Sequence, residues 1–277
     1  MKKILLIIFV SIVLFSCSKE HEPLQVPSPP VIDYSLYKIK TATHSVRNYN
    51  GTSSTLSFDT TNYLYEGNTY RYTRRTSMGT VQSYTHMLNN GIYTSEQYNN
   101  GILSNSKTYD ELNAAGYVDS SWTLNNSTVT QSAKYSYNID GSLSSAANYY
   151  SGYINKAQYY YTNNIATYYI SERIAISPGI PYALDSVVYE YAANLPYRAG
   201  FYSGGLPLSF YGKLSKNLLQ KSTYYDKLNN KAIRQTVEYQ YQTDDIGLVT
   251  QRILNIYMHP GNTMTQTDTT AYTYYGK

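Results

Sequence analysis

Sulfur chemistry is almost missing from this chain of 277 residues, which has a single cysteine, Cys17. No intramolecular disulfide can staple it, so stability must come from packing and hydrogen bonds. Histidine is equally sparse: His21, His44, His86 and His259 are isolated in sequence, and none has a His or Cys neighbour at metal-ligand spacing. There is no phosphate-cradling glycine loop, no Gly-x-Ser-x-Gly and no sustained helical periodicity. Two Ser-x-x-Lys matches, Ser35 to Lys38 and Ser104 to Lys107, fall in expected strands or turns, where no helical turn sets the amine against the hydroxyl. Adjacent Asp244 and Asp245 would point to opposite faces of a strand, so they make a poor acid pair. The sequence therefore offers no catalytic set, no metal site and no cofactor motif, and it reads as a chain that is not an enzyme.

The first residues carry the strongest positive signal. Lys2 and Lys3 precede an apolar run from Ile4 to Phe15 that is too short for a span of roughly 20 residues. Leu14-Phe15-Ser16-Cys17 resembles the lipobox of a bacterial lipoprotein signal peptide, although Phe15 is larger than is usual there. The resemblance implies cleavage of residues 1–16 and acylation of Cys17, whose chains then anchor the protein in a membrane. Residues 17–33 hold Pro23, Pro27, Pro29 and Pro30 and read as an extended tether. Lys19, Glu20, His21 and Glu22 loosely resemble the export signal of Bacteroidota surface lipoproteins, favouring the outer membrane or cell surface over its periplasmic face.

Without Lys2 and Lys3 the formal charge falls from +4 to 22 − 2 − 18 = +2. Basic residues are scattered, so there is no electrostatic footprint for nucleic acid.

From Tyr34 onward the chain is dominated by tyrosine, of which it has 36. Turn signals such as Asn50-Gly51, Asn90-Gly91, Asn100-Gly101, Asp140-Gly141 and Ser151-Gly152 recur every ten to sixteen residues. They supply the positive φ values of tight hairpins, and the stretches between them are rich in Tyr, Thr, Val and Ile. The expected fold is all-β: a long antiparallel meander forming a curved sheet or barrel-like shell, with a Pro/Gly-rich irregular insertion. Residues 34–277 form one domain, with a possible seam at 178–211. That section, with a short helical stretch from Leu214 to Leu219, is expected to plug one end through Phe201, Leu206, Leu208 and Phe210. Tyr-x-Tyr pairs at 63/65, 70/72, 135/137, 159/161, 189/191, 239/241 and 272/274 place rings on one strand face and should build ladders across strands. Aliphatic residues are too few for a conventional core, so tyrosine rings replace them. Tyr135, Tyr137, Tyr159 and Tyr161 are the candidate ligand-binding residues, on an aromatic surface that could stack on sugars or peptides.

Tyr135 to Leu143 resembles one YD-type repeat, and Tyr239 to Val249 is a weaker copy. With Asn194-Leu195-Pro196-Tyr197 and Gly212 to Leu219, these units resemble YD-repeat lipoproteins and the DUF4595-like proteins of the Bacteroidota. That resemblance implies an all-β shell and carries no catalytic residue. Asp59-Thr60-Thr61, Asp185-Ser186-Val187 and Asp268-Thr269-Thr270 resemble the O-glycosylation sequon of exported Bacteroidota proteins and should lie at the surface.

The functional expectation is a non-enzymatic envelope lipoprotein, membrane-bound through Cys17, that binds a glycan, peptide or protein partner or serves as a structural shell. One alternative is an envelope hydrolase using Asp110, Glu111 and Glu238. Another is an integral outer-membrane β-barrel, opposed by the lipobox, by the terminal Tyr275-Gly276-Lys277 and by strands that alternate tyrosine with polar residues.

Overall fold

A computed structural model describes residues 38–163, 165–177, 179–196 and 217–276, all of which belong to one compact unit, Asp33–Lys277. The signal peptide, Cys17 and the tether lie outside the described residues. So do 197–216, and with them the four expected plug residues.

Every regular element among the described residues is a strand. In chain order they are β1 (Ile39–Asn50), β2 (Ser53–Glu66), β3 (Thr69–Thr76), β4 (Val81–Asn89), β5 (Ile92–Asn99), β6 (Ile102–Leu112), β7 (Val118–Asn125) and β8 (Thr128–Tyr137). They continue with β9 (Leu143–Tyr150), β10 (Tyr153–Thr162), β11 (Ile165–Ala175), β12 (Pro181–Pro196), β13 (Asn217–Asp226), β14 (Ala232–Thr243), β15 (Val249–Met258) and β16 (Thr263–Tyr274). Each pairs antiparallel with its sequence neighbours, and β1 pairs with β16, so the meander closes into a barrel. The barrel-like shell expected from the turns is the observed fold.

Two-residue turns do much of this. Asn90 and Gly91 take φ values of 50° and 76°, and Asn100 and Gly101 take 49° and 82°, the left-handed pair that matches the twist of a hairpin. A second turn type spans five residues. The Asn138 amide donates to the Ser142 carbonyl at 2.8 Å and the Gly141 amide to the Asn138 carbonyl at 2.9 Å; Asp244, Gly247 and Leu248 repeat the pattern at 3.0 and 3.1 Å, and Asn113, Gly116 and Tyr117 at 2.7 and 2.9 Å. Gly141 has no substitute here, since φ is 85° and a Cβ would stand 2.7 Å from the Tyr117 hydroxyl.

Two expectations need correction. Within the section 178–211, where an irregular insertion is expected, Pro181 to Pro196 is the strand β12. Its prolines sit at the first and last positions, where a missing N–H does not break the ladder. Leu218 and Leu219 begin β13 and are not helical.

Register sorts the side chains onto two faces. Nearly all the buried strand residues, among them Ala42, Thr61, His86, Tyr93, Asp110, Ala133, Ala146, Val187, Ser222, Val237 and Tyr272, share the face around which the sheet curls. This is the interior. On the outside stand Thr43, Arg71, Glu96, Lys107, Lys134, Lys156, Glu172, Lys221, Glu238 and Thr269, which alternate with the interior set. Glu96 and Lys107 pair there at 2.7 Å, and the Thr41 and Thr273 hydroxyls bond across the closing seam at 2.6 Å.

The two rims differ. One carries seven connections and both ends of the described chain, and an apolar cluster is packed at it: Ile39, Leu218, Leu248, Val249, Tyr272 and Tyr274, with Leu195 and Ile246 against them. Tyrosine hydroxyls pin this end. Tyr137 donates to the Val118 carbonyl at 2.7 Å, Tyr161 to Leu143 at 2.7 Å, Tyr241 to Leu219 at 2.8 Å and Tyr274 to Val249 at 2.7 Å. Each is the second residue of a Tyr-x-Tyr pair at the end of an even-numbered strand, and it reaches the start of the strand before it.

Removing one such hydroxyl leaves a carbonyl without its donor. Tyr161→Phe and Tyr274→Phe are each expected to lower stability by about 1 kcal/mol, read as a fall in the urea midpoint with an unchanged slope.

Candidate functional site

Sixteen strands enclose an interior wider than the eight-stranded barrels that side chains fill, so the inner wall is the surface to search for a site. Two features stand on it. On β1, β2, β3 and β16 lies a charged cluster centred on His44. Its Nδ1 is 3.0 Å from Asp59 Oδ2 and its Nε2 is 2.7 Å from Asp268 Oδ1, while Arg74 Nη2 donates to Asp59 Oδ2 at 2.8 Å. Arg252 reaches the cluster from β15 by donating to the Thr270 hydroxyl at 3.3 Å, and that hydroxyl donates to Asp268 at 3.4 Å.

Both carboxylates can accept from the imidazole only if both ring nitrogens carry hydrogen, which is the protonated form. The His44 pKa is accordingly raised: the hydrogen bond to Asp268 is the largest influence, burial opposes it, and Asp59 adds to it. For Asp59 the largest influence is burial, which pushes upward, but hydrogen bonds from Arg74 and His44 together overcome it and hold the carboxyl below its ordinary range. With both ring nitrogens engaged, His44 has no lone pair for a metal. Among the described residues no group of three His, Cys, Asp or Glu side chains is placed to hold one.

The second feature is the tyrosine wall of β2 to β5. Tyr72 stacks on Tyr84 with centroids 4.5 Å apart and planes 19° apart; Tyr70 and Tyr93 lie 5.4 and 5.6 Å from the His86 ring, at 26° and 19°. Tyr63 joins from the other side, 6.0 Å from Tyr70. Because these rings stack on each other along the wall, their faces are largely used up, and what remains for a ligand is edges and hydroxyls. On these strands the wall is a comb of phenols. Burial raises the pKa of Tyr63 to about 12, so that hydroxyl stays protonated as a donor.

Within the comb, burial lowers His86 to about 4, and its Nδ1 is 2.7 Å from the Ser95 hydroxyl. Burial also raises the Asp110 pKa, a hydrogen bond from Ser121 opposing it. His86 Nε2 and Asp110 Oδ1 are buried without a hydrogen-bond partner.

Of the candidate binding residues, Tyr137 and Tyr161 spend their hydroxyls on backbone carbonyls. Tyr159 packs against Tyr169 at 5.4 Å, and Tyr135 lies on β8 with its side chain half-buried. The sequence did not single out His44 or Arg74, although the carboxylates beside them were visible inside the Asp-Ser/Thr motifs. Those motifs split across the wall: Asp59, Asp185 and Asp268 face inward to Arg74, Arg234 and His44, while Thr60, Ser186 and Thr269 face out. Asp110, Glu111 and Glu238 are not brought together. Asp110 is interior, Glu111 is its outward neighbour bonded to Ser120, and Glu238 lies on β14.

No protein-family model matches the chain, and no curated protein does. The fold has solved counterparts. A porin-like protein from Bacteroides uniformis superposes with a TM-score of 0.61 at 14% identity, over 85% of this chain and 96% of that one. Another porin-like protein, from Bacteroides vulgatus, gives 0.53 at 10% identity, over 87% and 100%. These likenesses establish the barrel architecture.

Two pH responses follow. His44 is raised, so its contribution to stability is complete below the ordinary histidine value of 6.5 and fades as pH rises through the folded value. Asp59 is lowered, so its contribution holds above 3.8 and fades on acidification. His44→Gln should flatten the fall in melting temperature above pH 6.5 and also shrink the acid limb, since Arg74 alone is then left to lower Asp59. Asp110 is raised, so its ionised form opposes folding; Asp110→Asn should raise the melting temperature at pH 8 and leave it unchanged at pH 3.

Proposed function

We propose that the chain is a lipid-tethered envelope barrel, at the outer membrane or cell surface, that acts without catalysis by holding a polar ligand, a glycan or peptide, against its inner wall. The observation that carries this reading is the division of the wall. Phenols and the Arg74–Asp59–His44–Asp268 cluster face inward, while Glu96, Lys107, Lys134, Lys156, Lys221 and Thr269 stand on the outside among apolar residues such as Phe58 and Val188. A membrane-spanning barrel needs an apolar outer band, and a lysine at the bilayer midplane costs about 2–4 kcal/mol. Lys107 and Lys221 stand outward near the middle of β6 and β13. The tether would be the acylated Cys17, and kinship with the YD-repeat lipoproteins rests on the Tyr135–Leu143 hairpin and its Tyr239–Val249 counterpart, which share both turn geometry and hydroxyl pin.

A second reading is an integral outer-membrane barrel, and the porin-like description of the two structural neighbours favours it. The readings part on one measurement. With Cys17 replaced by alanine, carbonate extraction should release a tethered barrel, and a chain from Ser18 onward should be soluble without detergent. Retention in the membrane and a need for detergent would establish the integral barrel instead.

A further inference from the structure

Antiparallel alternation sends the odd-to-even connections, eight in all, to the rim opposite the apolar cluster. Every one of these hairpins carries an exposed large apolar side chain. Met78, Ile102 and Ile180 are 89%, 75% and 61% exposed, and Val129 and Leu228 stand out in the same way on two more. On the remaining three the apolar residue is less exposed and stands in a strand behind the turn: Leu56 in β2, Tyr149 in β9 and Met258 at the end of β15.

Scattered exposed hydrophobic residues are ordinary, but one on each hairpin of a closed circle makes a repeating apolar collar. Charge follows the same division. The turn residues of this rim include Lys227 and Lys231, with exposed Arg47 and Arg75 just behind and one acid, Asp226, beside Lys227, where it accepts from Leu228 and Asn229 of the turn. The described turns of the other rim include Asp140, Asp244 and Asp245 and no base, and the bases at that rim are Lys38 and Lys40 at the start of β1.

We infer that this rim docks on an anionic lipid bilayer. A ring of single apolar side chains at hairpin tips fits a flat, deformable apolar layer, and the bases beside it fit phosphate headgroups. No strand crosses the bilayer in this arrangement; the tips enter the headgroup region and the polar outer wall stays in water. The tether does not prevent it. Cys17 and Lys38 are 21 residues apart, and that much chain reaches up to about 70 Å when extended, longer than any strand of the wall. The inference rests on the tethered, water-exposed barrel proposed above.

The test is co-sedimentation of a chain from Ser18 to the end with vesicles of phosphatidylcholine, alone or with one-third phosphatidylglycerol. That chain retains all sixteen strands, so the barrel closes without the signal peptide or the acyl group. Binding to the anionic vesicles is expected, weakened by salt and much poorer on phosphatidylcholine alone. Met78→Ser, Ile102→Ser and Ile180→Ser should each reduce the partition coefficient about tenfold, and Ile139→Ser, on a turn of the other rim, should not. Lys231→Glu, on an exposed turn, leaves the wall intact and should weaken binding to the anionic vesicles only. Equal binding by all variants would overturn the inference. So would a soluble, monomeric chain that does not sediment, or collar variants that instead dissociate a dimer. A chain insoluble without detergent would refute the underlying reading of the barrel itself.

Discussion

Everything in this structure depends on the pairing of the first strand with the last. An open sheet of fifteen hairpin-joined pairs would leave two edges of unpaired amides and carbonyls, and a barrel abolishes them. The β1–β16 ladder runs from Ile39 opposite Tyr274 to Asn48 opposite Gln266, and it is fastened on the outside by the Thr41–Thr273 hydroxyl pair and inside by His44 against Asp268. The charged cluster of the inner wall thus spans the seam itself: His44, Asp59 and Arg74 come from the first three strands and Asp268 from the last, and the two parts meet only when the wall is closed.

Tyrosine takes the place that aliphatic residues hold in a conventional core. A ring covers as much apolar area as a large aliphatic side chain, and its hydroxyl still satisfies a polar partner, so the same residue packs the wall and pins the turns. Tyr137, Tyr161, Tyr241 and Tyr274 do both. That economy suits a barrel whose interior meets water along part of its height and an apolar cluster at one end.

The sequence announced the strands and turns because both signals are local. Asn-Gly at 90 and 100 marks tight turns wherever it occurs in such a meander, and Tyr-x-Tyr at 63/65 and 70/72 marks a shared face. β12 was hidden because prolines and a lapse in periodicity argue against a strand, whereas Pro181 and Pro196 sit only at its ends. The charged cluster was hidden for a different reason: His44 meets Asp59 only in the register of the β1–β2 hairpin, and Asp268 joins them only through the closing ladder, which no local pattern encodes. Choosing Tyr135 and Tyr161 by their motif found residues on the inner wall, but motif alone could not show that Tyr161 spends its hydroxyl on a carbonyl.

The hydroxyl pair that fastens the seam joins positions 232 residues apart. Hairpins can form as each pair of strands emerges, but the step that removes both edges has to wait for the last strand, since loop-closure entropy is paid before that contact returns anything. Until β16 docks, the protein is therefore a ribbon with a sticky margin, and its folding is a race between ring closure and capture of that margin by another chain.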